Sequence, residues 1–285
     1  MRNIMLFIEN VADAECLAKK ALMIARQCKA NLQLCHVVKN SVSAKLVIHH
    51  EDDELFEDDN CFDIEELARQ LKIAESQEET FNPLIGCLEI STFNPRIINE
   101  MVTLHNVWLM IIDERQLTSP EDIVSENETL KVISCINCPL LIIPHAFELS
   151  YFNKIAYATD LRYCDLGVVR FLKVFGAQIF ITHITAPGLP CLEERYAQEI
   201  LSEEISTKAN YSKIFLRNIK SENIKNALAL VVESIEVKML AIVNKKHKTF
   251  ERLFDHFPQK TLSSSSSTSA ANKGIKPTTL LTRIF

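Results

Sequence analysis

Residues 153–160, NKIAYATD, restate in mid-chain the pattern of residues 3–9, NIMLFIE: a short apolar run closed by an acid. Each run leads into an amphipathic helical pattern and then a second apolar run, LQLCHVV in one case and QIFITHIT in the other, with His36 and His183 at matching places. Further on, VWLMIID (107–113) and VKMLAIVN (237–244) stand in the same order. Self-similarity at this period identifies a duplicated βα-type unit.

The apolar runs are continuous rather than alternating, as in strands covered by helices on both faces. The first half predicts strands over 3–8, 32–38, 84–90, 107–113 and 139–143, with helices at 11–28, 63–75, 94–104 and 125–136 between them. Pro95 after Asn94, and Pro139 before the aliphatic run LLII, mark element boundaries. The second half predicts strands over 154–159, 178–184, 213–217 and 237–243, with helices at 164–175, 192–207 and 221–234. SSSSSTSAANKG (263–274) reads as a flexible loop, and TTLLTRIF (278–285) as either the fifth strand or a frayed tail. The fold class is α/β: two tandem units, residues 1–146 and 152–285, each a five-stranded, mainly parallel sheet flanked by helices.

Composition narrows the function. The 285 residues carry a net charge of -6, which argues against nucleic acid as a partner. No uninterrupted apolar run reaches the roughly 18 residues of a spanning helix, and the N-terminus lacks the pattern of a signal peptide, so a cytoplasmic location is expected. Nine scattered cysteines fit reduced thiols. Cys135 and Cys138 form a C-x-x-C at the end of a helix rather than at its beginning, which favours two packed, inert thiols. Seven acids between Glu51 and Asp59 read as a solvated excursion. His49 and His50 lie beside them, and no metal site is assigned.

The acids that close the first strands, in ENVADAE and TDLRYCD, together with INCPLLIIP at the end of the first unit, resemble a tandem universal stress protein. That resemblance implies a flavodoxin-like (Rossmann-like) sheet, pairing of the two units through their fifth strands as in a joined dimer, and room for a homodimer. In many members it also implies ATP at the carboxyl ends of the strands, held by an acid after the first strand and by a glycine-rich loop after the fourth. Glycines allow backbone N–H groups to close on phosphate where a Cβ would intrude.

Those glycines are missing in both halves. DERQLTSPEDIVSENETLK, after the first half's fourth strand, instead places Asp113, Glu114, Glu121 and Asp122 where phosphate would sit. The second half's loop, NKKHKTFERLF, is basic, and Asp160 stands at the position of the adenosine-contacting acid. Asp160, Lys245 and Lys246 therefore form a weak candidate nucleotide or anion cleft. Phe250, Leu253, Phe254 and Phe257 follow at helical spacing as a core-facing or partner-facing stripe, with core packing the favoured reading. His36 and His183 lie inside apolar runs with no nucleophile motif nearby, and read as satisfied histidines near strand ends.

The expectation is thus a non-enzymatic stress-response protein without a cofactor, acting through a protein partner or a small ligand. The alternative is a nucleotide-binding member with weak ATP hydrolysis in the second half.

Overall fold

The computed structural model describes residues 1–38, 63–73, 81–91, 94–117, 135–148, 150–159, 164–185, 193–220, 224–242 and 279–282. The first half runs β1 (Arg2–Ile8), α1 (Glu15–Cys28), β2 (Ala30–Val37), α2 (Ile64–Ile73), β3 (Ile85–Ile90), α3 (Pro95–Leu104), β4 (Val107–Asp113) and β5 (Leu140–Ile143). The second runs β6 (Lys154–Ala158), α4 (Leu166–Leu172), β7 (Gln178–Thr185), α5 (Glu194–Glu199), β8 (Ile214–Lys220), α6 (Ile224–Ile235), β9 (Met239–Ile242) and β10 (Thr279–Thr282). After α5 the helical path continues as a π-helical stretch, Ile200–Ser206, and one last turn, Thr207–Ala209. These elements fall within a few residues of the sequence expectations. The expected helix at 125–136 (apart from its last two residues), the acidic excursion and the serine-rich loop lie outside the described residues.

The strands form one ten-stranded sheet in the order β3-β2-β1-β4-β5-β10-β9-β6-β7-β8. Each half contributes a parallel run, and the two runs meet where β10 pairs antiparallel with β5 and parallel with β9. Thr279–Thr282 is therefore the fifth strand of the second half rather than part of a frayed tail. Its Leu280 and Leu281 lie opposite Ile142 and Leu141.

Local sequence explains the elements. α1 buries Leu17, Ala18, Ala21, Leu22, Ile24, Ala25 and Cys28, the i, i+3, i+4, i+7 spacing of one helix face. Asn94 caps α3 by accepting the Ile97 N–H at 3.0 Å, with Pro95 opening the helix, and Asp165 caps α4 through the Gly167 N–H at 2.8 Å. Helix leads into strand through a residue in the left-handed region at Lys29 (φ 50°), Asn106 (φ 48°), Gly176 (φ 68°), Asn210 (φ 48°) and Glu236 (φ 56°). In this glycine-poor chain Gly176 alone among them lacks the Cβ that makes such a conformation costly.

One apolar core lies on the side of α1, α2, α4 and α5 and is continuous through both halves; on the opposite side the cores under α3 and under α6 are separate. The shared core is stitched by Gln27 of α1. Its Nε2 donates to the carbonyls of Phe152 at 2.9 Å and Phe175 at 2.8 Å, and its Oε1 accepts the Phe152 N–H at 3.1 Å. Trp108 adds an aromatic contact. In the β1–β4 register Asn3 faces Val107 and Ile4 faces Leu109, so Trp108 is an extra residue, a bulge. Its ring stacks on Phe171 of α4 with centroids 4.4 Å apart and lies 6.0 Å from Phe175.

Candidate functional site

In the order 3-2-1-4-5 the connections reverse direction between β1 and β4, and the crevice at the carboxyl ends of those strands is where such sheets take ligands. The first half opens a cleft of about 230 Å³ there, lined by the end of β1 (Phe7 to Asn10), the start of α1 (Asp13, Ala14, Leu17) and Asp113, Arg115 and Gln116 after β4.

Its polar groups are tied together. Asp113, only 5% exposed, accepts the Arg115 backbone N–H at 2.8 Å on Oδ1, while the guanidinium reaches Oδ1 through Nε at 3.1 Å and Oδ2 through Nη2 at 3.0 Å. A bidentate pair of this kind fixes both partners in geometry and charge. The Asp113 N–H donates to Gln116 Oε1 at 3.3 Å. On the facing loop Asn10 accepts the Ala12 N–H at 3.1 Å and donates to Asp13 Oδ2 at 3.2 Å. Three carboxylates, those of Glu9, Asp13 and Asp113, thus line the cleft against one guanidinium. Sequence reading places Asp113 and Glu114 correctly at this end of the sheet and overlooks Arg115, although the adjacent D-E-R contains it.

Behind the cleft, Glu114 accepts the His145 N–H at 2.8 Å, and burial raises its carboxyl above the usual glutamate range. Lys20, 4% exposed on α1, donates to the His145 carbonyl at 2.9 Å and so ties α1 to the chain leaving β5.

In the second half Asp160, Lys245 and Lys246 lie outside the described residues, as does the aromatic stripe at 250–257. What is described is the floor. Tyr157 on β6 is buried, its phenol pushed up to about 12 by burial, and its hydroxyl accepts the Asp165 N–H at 3.4 Å. His183 near the end of β7 is 3% exposed, and among the described residues neither ring nitrogen has a hydrogen-bond partner, a correction to the satisfied histidine expected there. Its counterpart His36 is partly buried. Burial lowers its imidazole below the ordinary histidine value, with Glu89 and Asp63 pulling the other way.

Cys138 is buried, as expected, whereas Cys135 is exposed, a correction to the two packed thiols read from the sequence. Among the described residues no three histidine, cysteine or acidic side chains come together as a metal site, and no helix is long and apolar enough to cross a membrane.

No family model matches the sequence, and no curated protein matches it either. Solved structures do resemble it. One is a chain described as a universal stress protein of Pseudomonas aeruginosa UCBPP-PA14, at a TM-score of 0.57 and 14% identity over 99% of this chain and 93% of the other. A second is a protein of unknown function from Pseudomonas aeruginosa PAO1, at 0.56 and 13% over 99% and 92%. A third is a universal stress protein of Archaeoglobus fulgidus DSM 4304, at 0.55 and 10% over 99% and 97%. At these identities the likeness is one of architecture: this chain has the fold of the universal stress proteins.

Proposed function

We propose that the chain is a non-enzymatic stress-response protein of the universal stress type, working in the cytoplasm by holding a small ligand or a protein partner in the crevice at the carboxyl ends of its strands. One observation carries the reading. The first half's cleft is small and acidic, and the cation in it, Arg115, is already bound bidentately to Asp113. With its charge already balanced by Asp113, Arg115 offers a phosphate little net attraction to set against Glu9 and Asp13. A like charge about 4 Å from a carboxylate near a protein surface meets roughly 4 kcal/mol of repulsion. The cleft suits a neutral or cationic hydrogen-bonding molecule better than a nucleotide triphosphate.

The sequence of the second half supports the same direction, since no glycine stands between Val243 and Lys273 to bring backbone donors onto phosphate. Lysine side chains in water give only salt-screened attraction. Titration calorimetry with MgATP is expected to give a dissociation constant no tighter than about millimolar, roughly -4 kcal/mol. Micromolar, salt-resistant binding that disappears in Asp160→Ala would overturn the proposal and transfer the function to a nucleotide site in the second half.

A further inference from the structure

We propose that the groove at the amino ends of β1, β4 and β5, on the opposite edge of the sheet from the crevice, is a binding site for a flat-ringed carboxylate. Its volume of about 520 Å³ lies within the range of small-molecule sites. The side chains that would do the work are Arg2, Lys29, Trp108 and Phe171.

The charge is one-sided. Among the described residues lining the groove there is no acid, in a chain whose net charge is -6. Arg2, opposite Ala30 in the β1–β2 register, and Lys29, the residue before Ala30, both line the groove and carry like charge. The guanidinium is 5.4 Å from the centre of the Trp108 ring and donates to the Cys28 carbonyl at 3.4 Å. That contact uses one of five N–H donors. The end of α1, whose carbonyls would repel an anion, is already engaged: Cys28 O by Arg2, and the Ala25 and Arg26 carbonyls by the Lys29 N–H.

The ring specificity comes from the bulge. Because Trp108 is the extra residue between the Asn3 and Ile4 pairings, its indole turns toward α4 and stacks on Phe171. Pro139 extends the apolar wall. A carboxylate between Arg2 and Lys29 would set its ring against this wall, with ion pairing and aromatic contact acting together. Since Phe171 belongs to the second half and the other groups to the first, the bound ligand would also bridge the two.

Trp108 is the chain's single tryptophan, so its fluorescence reports on the groove directly. Nicotinate and nicotinamide supply the same ring with and without the charge. Nicotinate is expected to quench Trp108 saturably with half-saturation below about 1 mM, and nicotinamide to be at least about tenfold weaker. Lys29→Gly should lower nicotinate affinity about tenfold or more. This variant keeps the fold, because glycine suits the left-handed φ of 50° at that position. Equal quenching by the two probes, unchanged nicotinate affinity in Lys29→Gly, or no saturable change up to about 10 mM would each overturn the proposal.

Discussion

Matched by strand register, the two halves have one backbone and two chemistries. The β1–β2 pairing sets Arg2 beside Ala30, and the β6–β7 pairing, which sets Lys154 beside Gln178, places Asn153 at the equivalent point. The left-handed turn that is Lys29 in the first half is Gly176 in the second, and Asn106 corresponds to Glu236. Counting from those turns, Gln27 matches Val174 and Trp108 matches Lys238. The Gln27 clamp and, apart from Phe171, the groups that line the amino-end groove thus come from the first half of a pseudo-symmetric pair. Duplication supplied the frame, and single side chains at equivalent positions decide what each half can hold.

The strongest way to break the comparison is to remove the strand on which the symmetry turns. Truncation after Ser269 deletes β10 and leaves the edges of β5 and β9 open, two strands whose residues are all buried. Open apolar edges pair with other chains. A loss on the order of 3–5 kcal/mol is expected, with aggregation during purification. A soluble truncated protein with an unshifted denaturation midpoint would take β10 out of the fold.

Next in size is the asymmetric clamp. Gln27→Ala leaves the Phe152 N–H and the Phe152 and Phe175 carbonyls without their partner, at a cost of about 2–3 kcal/mol. Urea unfolding measures it. Val174→Ala at the matching position removes only packing, and is expected to cost about 1 kcal/mol. Equal losses at the two sites would show that the clamp is not specific to the first half.

A smaller effect, of opposite sign, tests the turns. Glu236→Gly relieves a side chain at φ 56° and is expected to stabilise by about 1 kcal/mol, whereas Gly176→Ala at φ 68° should destabilise by a similar amount. Thermal unfolding of the two variants checks both signs.

The smallest effect is on pH dependence. Glu114 holds its proton more tightly folded than unfolded, because burial raises its carboxyl. The folded state then binds more protons, and this group's contribution to stability falls as pH rises from the unfolded value through the raised one. Glu114→Gln keeps an acceptor for the His145 N–H and removes that slope. A gain of about 1–2 °C in Tm at pH 7 and none at pH 4 is expected, and an equal shift at both would assign the effect to something other than ionisation.

The sheet is largely legible in the sequence because its signals are local. Continuous aliphatic runs, a helix face repeating every three to four residues and capping pairs such as Asn94–Pro95 act within one element. The candidate site was legible only in part. The acids after β4 are legible because they close an apolar run, whereas the neutralisation of Asp113 by Arg115 is not, because it depends on the turn that folds the guanidinium back onto the carboxylate. Asp160, Lys245 and Lys246 lie outside the described residues and gained no geometry from the fold.

By itself the sequence determined that the chain is a duplicated α/β unit, where its strands and helices run, and that the segments after β4 and β9 lack glycine up to Pro139 and Lys273. Only the tertiary structure decided that Thr279–Thr282 is the strand joining the halves, antiparallel to β5 and parallel to β9. It also decided that a bulge sets Trp108 on Phe171 and that Gln27 spans to Phe152 and Phe175. The physical reason is range. Hydrophobic periodicity and capping are set by neighbours a few residues apart, whereas these contacts link residues 63 to 148 positions apart or pair strands across the whole chain, and form only once the shared core has brought both halves together.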